Sequence, residues 1–574
     1  MKAIIKKCNS CFIILNLNKE NKYRNKTDYI IFLYFRSSVY LPCMSWKNIE
    51  YQKTKSFGKL PLDYILKKPH FSDLITNFPS LDNFQNQISI KSKNFDNLNR
   101  KELSDVINDQ YKDIELNKIQ KTNIDNILKE NTFTITTGHQ LNLLTGPLYF
   151  IYKIISVINL VESLNKKYKK YNFVPIYWMA SEDHDFKEIN NFSIKEKTFC
   201  WDSNQTGIVG DFKLNNFNKL VEEFENFVIN SSYGQELCLM IKESYSNSNN
   251  LADATRIFVN RIFSEYGLII VDANDKKLKS LFKKTLINEV KNGLVINNSK
   301  KSIDKLKDLN YEIQASPREI NLFYIQKDIR ERIINKGEYY TTDNNLKKWS
   351  KEEIIKEIDE SPESFSPNVL LRPLYQEHIL PNLCYIGGPA EISYWLELKS
   401  VFDKENLIFP LLLSRSSAVI IRKKIRESLE KYNIKIEDIF LSRQDLKNKL
   451  TLSFSKNKID FSDLKIQLNK QFSELRKISK KTDKSFIGAL NAQEKKQFNG
   501  LDMLEKRLLK SEQKIHEQKI SKIMTLLDEI SPNDNLQERI FNFSNFYKDY
   551  GINMIDIIKN NLDPLDQKFS VVEI

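Results

Sequence analysis

The chain of 574 residues contains no long apolar run. No stretch reaches the roughly 18 uninterrupted apolar residues that a membrane-spanning helix requires. The first 43 residues are basic and partly apolar, but they lack the small-residue cleavage site that follows the apolar segment of a secretory signal. We therefore expect a cytoplasmic protein without membrane contact. Residues 1–43 are interpreted as an upstream extension, and the folded protein is expected to begin at Met44.

Cysteine is scarce and scattered. Only Cys8 and Cys11 form a C-x-x-C pair, and neither a second pair nor a β-α-β pattern accompanies it, so a zinc or thiol–disulfide site is not favoured. Cys384 lies inside an apolar run and is interpreted as a small core residue. A reducing compartment fits this distribution. The remaining cysteines are Cys43, Cys200 and Cys238.

Positive charge is abundant but not concentrated. The net charge is +14 and the pI is about 9.1, yet the lysines are interleaved with asparagine and isoleucine along the whole chain. No arginine-and-aromatic module stands out, so we predict no nucleic-acid binding. With 41% hydrophobic residues, the chain is globular and large enough for a core domain and at least one further unit.

An abrupt switch from apolar to charged residues is the most informative local feature. The run Phe173–Ala180 stops at Ser181, which predicts a buried strand followed by a polar loop. Ligands bind beyond the carboxyl ends of strands in open α/β sheets, and clustered charges are costly to bury without partners. A solvated loop with a capping carboxylate is the alternative. The candidate catalytic residues are Glu182, Asp183, His184 and Asp185.

A second strand leads through a glycine-bearing loop into a helix. Thr132–Thr136 reads as a strand, and apolar residues from Leu148 to Leu164 share one helical face. Pro147 suits a first helical turn. The free N–H groups of that turn would suit an anion, although an ordinary turn also uses glycine. The candidate binding residues are Gly138, His139, Gln140, Asn142, Thr145, Gly146 and Lys153.

A third cluster repeats this pattern. Leu383–Ile386 is predicted as a strand that runs into two glycines and a helix starting at Ala390. Arg372 carries a planar, permanently charged group that can hold a carboxylate or phosphate; an internal carboxylate such as Asp183 is the alternative partner. Two more strands, Leu268–Val271 and Leu407–Leu413, end in polar residues, so we expect one cleft at several strand ends. The candidate residues are Arg372, Tyr375, Gln376, Gly387, Gly388 and Glu391.

Four segments together resemble the cysteine ligases of bacillithiol biosynthesis. They are TGHQLNLLTGPLYFIYKIISVINL, FVPIYWMASEDHDFKEIN, FSPNVLLRPLYQEHILPNLCYIGGPAEISYWLELK and LDPLDQKF, in order between Met44 and the C-terminus. The resemblance implies the last step of that pathway, in which cysteine is joined by an amide bond to the amino group of glucosaminyl-malate. It also implies a Rossmann-like core, similar in outline to class I aminoacyl-tRNA synthetases. His139 departs from the glutamine of many relatives, which argues against an essential acid–base role.

The chain is predicted to be α/β, with a Rossmann-like parallel-sheet core over residues 44–415. Inserted connective segments are expected near 192–250 and 298–361. Residues 416–530 are predicted to form a helical coiled-coil arm, because Leu468, Phe472 and Leu475 keep a 4,3 spacing. Leu501, Leu504 and Leu508 keep the complementary spacing, which predicts an antiparallel helix pair and homodimer contact. Residues 531–574 are expected to dock on the core.

Amide formation from a free acid requires activation, and an acyl-adenylate is the simplest route. We therefore consider ATP or another nucleotide as a cofactor, although neither Walker A nor G-x-G-x-x-G spacing occurs. Arg372 and Lys153 are candidates for a malate carboxylate or a phosphate. Asp183, His184 and Asp185 are candidates for acid–base work, since carboxylates around an imidazole raise its pKa.

Three alternatives accompany this hypothesis. A metal at His184 and Asp185 ranks second, because no third and fourth ligands at suitable spacing are evident. A nucleotidylyl or glycosyl transferase could use the same frame. A coiled-coil scaffold without activity is the third alternative, but the polar clusters at strand ends have no packing role that would preserve them.

Overall fold

The computed structural model describes residues 48–574. The expected start at Met44, the upstream extension and the Cys8–Cys11 pair lie outside the described residues. The strands are β1 (Thr132–His139), β2 (Asn172–Met179), β3 (Asn191–Ile194), β4 (Lys197–Cys200), β5 (Ile269–Asp272), β6 (Leu322–Gln326), β7 (Ile329–Asn335), β8 (Tyr340–Thr342), β9 (Lys348–Trp349), β10 (Phe365–Pro367), β11 (Asn382–Gly387), β12 (Leu411–Ser414), β13 (Ser417–Ile421) and β14 (Phe569–Glu573).

The helices alternate with these strands. They are α1 (Tyr51–Thr54), α2 (Lys59–Ile65), α3 (Asn83–Asn94), α4 (Asn97–Gln110), α5 (Lys118–Ile127), α6 (Tyr149–Lys167), α7 (Phe186–Ile189), α8 (Phe217–Val228), α9 (Gly234–Tyr245), α10 (Leu251–Phe263), α11 (Lys276–Asn292), α12 (Leu294–Asp308), α13 (Lys351–Glu360), α14 (Arg372–Ile379), α15 (Pro389–Leu396), α16 (Lys399–Lys404), α17 (Lys423–Lys431), α18 (Arg443–Phe454), α19 (Ser462–Ser479), α20 (Lys484–Ile515), α21 (Glu517–Asp528), α22 (Gln537–Ile540), α23 (Ser544–Tyr550) and α24 (Asn553–Asn561).

A five-stranded parallel sheet forms the core, in the order β12-β11-β1-β2-β5. The chain first builds outward from β1 through β2 to β5, and then returns to place β11 on the other side of β1. The strand order therefore reverses between β1 and β11, and ligands of such sheets bind beyond this point. The predicted α/β class is confirmed.

The core strands are buried along nearly their whole length, because parallel sheets are covered on both faces. β1 is nevertheless rich in threonine, and Thr132, Thr134, Thr136 and Thr137 are buried polar residues. Every residue of β1 except His139 is buried, as is every residue of β11. The predicted strand Leu407–Leu413 is shorter than expected and begins at Leu411. Pro410 immediately before it has no N–H to give to a ladder, which accounts for the later start.

The inserted segment between α12 and α14 forms a second, antiparallel sheet in the order β10-β6-β7-β8-β9. Its pairing register places Phe323 opposite Arg332 and Ile325 opposite Arg330. The β3–β4 hairpin with α8 and α9 occupies the earlier inserted segment. The antiparallel sheet supplies Phe323, Arg330 and Arg332 to the cavity described below.

The arm consists of α19 and α20, which are joined by a short turn and therefore run antiparallel. Phe472 and Leu490 are buried between them, and Lys465 of α19 pairs with Glu505 of α20 at 2.6 Å. The predicted seam is only partly enclosed by this pair. Leu504 is 54% exposed and Leu475 is 39% exposed, so part of the apolar pattern faces outward.

The C-terminal segment is tied to the core at two places. Gln537 and Glu538 bond to the backbone of β13: Ile420 N–H donates to Gln537 Oε1 at 2.9 Å, and Ala418 N–H donates to Glu538 Oε2 at 2.9 Å. Asn542 Nδ2 donates to the carbonyls of Leu144 and Gly146 at 2.7 and 2.5 Å. The end of the chain returns as β14, parallel to β13.

Within residues 48–574, no helix has both the length and the apolar character needed to cross a membrane.

Candidate active site

A cavity of about 630 Å³ opens at the carboxyl edge of the core sheet, where the strand order reverses. Its volume suits a small-molecule site. β1, β2 and β11 contribute their ends, the antiparallel sheet contributes one wall, and α22 contributes one residue. The charged lining residues are Lys153, Arg318, Arg330, Arg332, Arg372, Arg415, Arg539, Glu182, Asp183 and Glu391.

A buried ion pair joins the two strands at the reversal point. Lys153 Nζ donates to the Gly138 carbonyl at 2.6 Å and to Glu391 Oε2 at 2.7 Å. Glu391 also accepts from Gly388 N–H at 2.7 Å and from the Tyr385 hydroxyl at 2.6 Å. Burial opposes ionisation, but Lys153 and these hydrogen bonds lower the pKa of Glu391 to about 2. Glu391 is therefore a fixed anion that links the end of β1 to the start of α15.

Arg372 begins α14 and lies against Gly138. A Cβ atom at Gly138 would come within 3.3 Å of Arg372 Nη1 and of the Tyr385 hydroxyl, so the glycine makes room for both. Nη1 donates to Gln376 Oε1 at 3.0 Å, whereas the buried Nη2 has no hydrogen-bond partner within residues 48–574. The sequence left open whether Asp183 neutralises Arg372. The structure places Asp183 with Arg330 instead.

The loop after β2 carries the charged cluster found in the sequence. Asp183 accepts from Gln140 Nε2 at 2.6 Å and from the backbone N–H of His184 at 2.7 Å. Burial alone would raise the pKa of Asp183, but the contacts with His184 and Gln140 and the charge of Arg330 hold it well below its usual range. Glu182 forms a buried ion pair with Lys279. Both carboxylates are therefore committed to partners.

Among residues 48–574, His184 is flanked by one carboxylate, that of Asp183. Its Nδ1 lies 3.5 Å from Asp183 Oδ1 and 2.7 Å from Arg330 Nη1. Asp185 is exposed and does not line the cavity. The expected arrangement, an imidazole between two carboxylates that raise its pKa, is thus replaced by one between a carboxylate and a guanidinium.

His139 lines the cavity as a neutral base. Burial, reinforced by the nearby charge of Lys153, lowers its pKa to about 3. Its ring packs against Tyr149 and Phe150, with centroids 5.4 and 5.2 Å away. The imidazole therefore carries no charge near neutral pH.

Several other predicted residues shape the site without lining it. Gly146 has φ +61°, and a Cβ there would lie 2.6 Å from Asn142 Cβ, so the 142–146 loop requires glycine. The Tyr375 hydroxyl donates to the Ala273 carbonyl at 2.9 Å. Gln376 orients Arg372. The residues outside the lining are Asn142, Thr145, Gly146, Asp185, Tyr375, Gln376 and Gly387; those within it are Gly138, His139, Gln140, Lys153, Glu182, Asp183, His184, Arg372, Gly388 and Glu391.

The start of α6 is not the open anion site that its sequence suggested. Leu148 N–H donates to the Phe541 carbonyl at 2.8 Å, and Pro147 is bridged to Asn542. The C-terminal segment thus occupies part of this helix start. A distant segment can fill a helix end in this way without any local sequence signal.

Five lining arginines were not identified from the sequence. Arg330 and Arg332 had a usable signal, because residues two apart on a strand share a face. Arg415 is one of the polar residues that follow the predicted strand Leu407–Leu413. Arg318 lies in a loop and Arg539 in a distant segment, so the sequence pattern gave no signal for either residue.

Among residues 48–574, no group of three or more His, Cys, Asp and Glu side chains is placed to hold a metal ion.

Comparisons with known proteins cover nearly all of the described chain. Residues 44–416 match the family described as bacillithiol biosynthesis BshC, N-terminal Rossmann-like domain. Residues 418–574 match bacillithiol biosynthesis BshC, C-terminal coiled-coil domain. The predicted Rossmann-like core and coiled-coil region are both confirmed.

Curated relatives agree with these matches. A protein of Flavobacterium psychrophilum named "Putative cysteine ligase BshC" is 48% identical over 92% of this chain and 99% of its own length. A Flavobacterium johnsoniae protein of the same name is 44% identical over 92% and 99%. One from Christiangramia forsetii, also of that name, is 45% identical over 91% and 98%. The chain therefore belongs to the BshC family of bacillithiol biosynthesis.

Proposed function

We propose that this protein is a cytoplasmic ligase that joins the carboxyl group of cysteine to the amino group of glucosaminyl-malate. The observation that carries the proposal is the excess of arginine in the cavity. Seven cationic side chains line it, against three carboxylates. Arginine is well suited to planar, bidentate recognition of carboxylates, and the malate unit brings two of them.

The charges that are already neutralised can be separated from those that are free. Lys153 pairs with Glu391, and Arg415 pairs with Glu538. Arg330 Nη1 lies 4.0 Å from Asp183 Oδ1. Within residues 48–574, Arg318, Arg332, Arg372 and Arg539 have no carboxylate partner within ion-pair distance. Arg318 and Arg539 are exposed, whereas Arg332 and Arg372 are half-buried and each has a buried nitrogen without a partner among these residues. Because an unpaired buried charge is costly, Arg332 and Arg372 favour an anionic ligand.

We further propose ATP as the activating co-substrate, since a free carboxylate does not form an amide without activation. The same surplus of positive charge would suit its phosphates. Incubation of purified protein with cysteine, glucosaminyl-malate and ATP is expected to give bacillithiol, detected by mass. Omission of ATP should stop the reaction. A product that forms without cysteine, or the use of a sugar nucleotide, would instead indicate a transferase.

Arg372→Lys is expected to raise KM for glucosaminyl-malate by about tenfold or more, because the loss of a bidentate contact is worth roughly 1.4 kcal/mol or more. Lysine keeps the charge but loses the planar pair of donors. Steady-state kinetics with glucosaminyl-malate as the varied substrate would measure this effect.

The matched control is Arg256→Lys. Arg256 is buried but outside the cavity lining, and it pairs internally with Asp253 and Asp272 at 3.3 and 3.5 Å. That variant should lose stability with an unchanged KM. If Arg372→Lys behaves in the same way, Arg372 has a structural role and is not a substrate clamp.

We also propose that the arm pairs two copies of the chain. Leu464, Ile466, Ile478, Met503 and Leu504 are between 46% and 57% exposed on α19 and α20, and large exposed apolar side chains are available for contact with a second copy. Leu504→Lys combined with Leu508→Lys is expected to give monomers in light scattering. Asn499→Lys, an exposed polar position on the same helix, should leave the mass unchanged. Equal masses for both variants and the wild type would contradict pairing through this surface.

A further inference from the structure

Arg330 is held in one position by two neighbours, Phe323 and Ser366. Its side chain is only 8% exposed. The guanidinium lies 3.8 Å from the centre of the Phe323 ring, and its Nε and Nη2 atoms donate to Ser366 Oγ at 3.4 and 3.3 Å. The remaining nitrogen, Nη1, lies 2.7 Å from Nδ1 of His184. The contact with His184 is therefore made by a fixed group.

The chemistry of the two groups decides which atom holds the proton. A guanidinium only donates hydrogen bonds and stays protonated in proteins. At 2.7 Å from Arg330 Nη1, the Nδ1 atom of His184 must accept, so it carries no proton. A proton on Nδ1 would place two N–H groups face to face. The neutral imidazole then has its proton on Nε2.

The neighbouring carboxylate does not change this assignment. Asp183 Oδ1 is 3.5 Å from His184 Nδ1, which is too long for a good hydrogen bond. The same oxygen accepts the backbone N–H of His184 at 2.7 Å. Asp183 therefore bonds to the backbone of His184, whereas Arg330 donates a hydrogen bond to its imidazole ring.

We infer that Arg330 is a positioning residue that holds His184 as the Nε2–H tautomer, so that His184 donates a hydrogen bond to a carboxylate or phosphate oxygen of the substrate and does not act as a general base. His184 lines the cavity, its side chain is 46% exposed, and Phe323 packs near its ring at 5.5 Å. Within residues 48–574, Nε2 has no hydrogen-bond partner. The identity of the substrate rests on the proposed function, but the tautomer does not.

Asp183 is a poor replacement for His184 as the base. Its two oxygens already accept hydrogen bonds, Oδ2 from Gln140 Nε2 and Oδ1 from the backbone N–H of His184. A carboxylate whose pKa lies well below its usual range is also a weak base, since its proton affinity is low.

Two-bond proton–nitrogen correlation spectra of ¹⁵N-histidine-labelled full-length protein test the assignment directly. The chain has five histidines, and the signal lost in His184→Ala identifies His184. We expect Nδ1 at the position of an unprotonated nitrogen and Nε2 at that of a protonated one. A protonated Nδ1 in the wild type would overturn the inference, whatever the activity assay shows.

Arg330→Leu removes the donor, and the His184 signals are then expected to shift toward a mixture of tautomers. Arg332→Leu is the matched control, because Arg332 lies two residues along the same strand and lines the same cavity without contacting His184. It should leave the His184 pattern unchanged. Identical His184 patterns in wild type and Arg330→Leu would refute the positioning role; if Arg330→Leu does not fold, the wild-type spectrum alone decides the tautomer.

Discussion

Asp183→Asn is expected to lower kcat by about 100-fold, the order of loss that a misplacement of about 1 Å can cause in a catalytic site. The carboxylate accepts the N–H of His184, holds Gln140 and lies beside Arg330. Asparagine has nearly the same shape but keeps only one acceptor oxygen and no charge. The loop would lose the contacts that place His184, while the sheet beneath it would be unaffected. Steady-state kinetics and a thermal unfolding curve of the same preparation measure the two effects.

Asp185→Asn is the matched control for this prediction. Asp185 is two residues further along the same loop, is exposed, and does not line the cavity. It should retain nearly normal activity. Equal losses in both variants would restore Asp185 as a site residue and contradict the placement of this loop. A large drop in the unfolding midpoint of Asp183→Asn would show that the carboxylate serves the fold.

Glu538→Gln is expected to destabilise the protein by about 3–5 kcal/mol, the usual cost of removing one partner from a buried ion pair. Arg415 and Glu538 are 3% and 1% exposed, and Arg415 Nη2 donates to Glu538 Oε1 at 2.8 Å. The other carboxylate oxygen accepts the N–H of Ala418. Glutamine can satisfy one of these bonds but leaves the guanidinium without a counter-charge. Chemical denaturation measures the free energy of unfolding.

Glu430→Gln provides the comparison, because Glu430 is 52% exposed and pairs with Arg426 on the surface of α17. Surface ion pairs contribute little to stability, so this variant should unfold at nearly the wild-type denaturant concentration. Similar unfolding curves for both variants would mean that the buried pair adds no net stability.

Local sequence pattern was sufficient to predict the core sheet. The apolar runs at Phe173, Leu268 and Leu383 each became a parallel strand, and so did Thr132–Thr136, in which threonine alternates with apolar residues. The polar residues after β1, β2 and β11 meet at one edge because these strands are parallel and their carboxyl ends lie on the same side of the sheet. Ten of the predicted site residues line the cavity as a result.

The remaining site residues depend on contacts between distant segments. Arg330 reaches His184 across 146 positions of the sequence, through an inserted sheet whose docking no local pattern specifies. Asn542 donates a hydrogen bond to the 143–146 loop, at Leu144, which lies 398 positions earlier in the sequence. This contact occupies part of the anion site expected at α6. Arg372 lines the cavity, but its partners could not be read from sequence.

The docking of the C-terminal segment has a consequence for synthesis on the ribosome. Arg415 leaves the ribosome 123 residues before Glu538, its buried counter-charge. All five strands of the core sheet have emerged by then, yet the guanidinium beside them lacks its partner, and the loop before α6 lacks Asn542. The nascent chain therefore holds an incomplete ligand cavity through the translation of the whole arm. We therefore expect the cavity to be completed only after residues 537–542 have been made and have closed onto strands made much earlier.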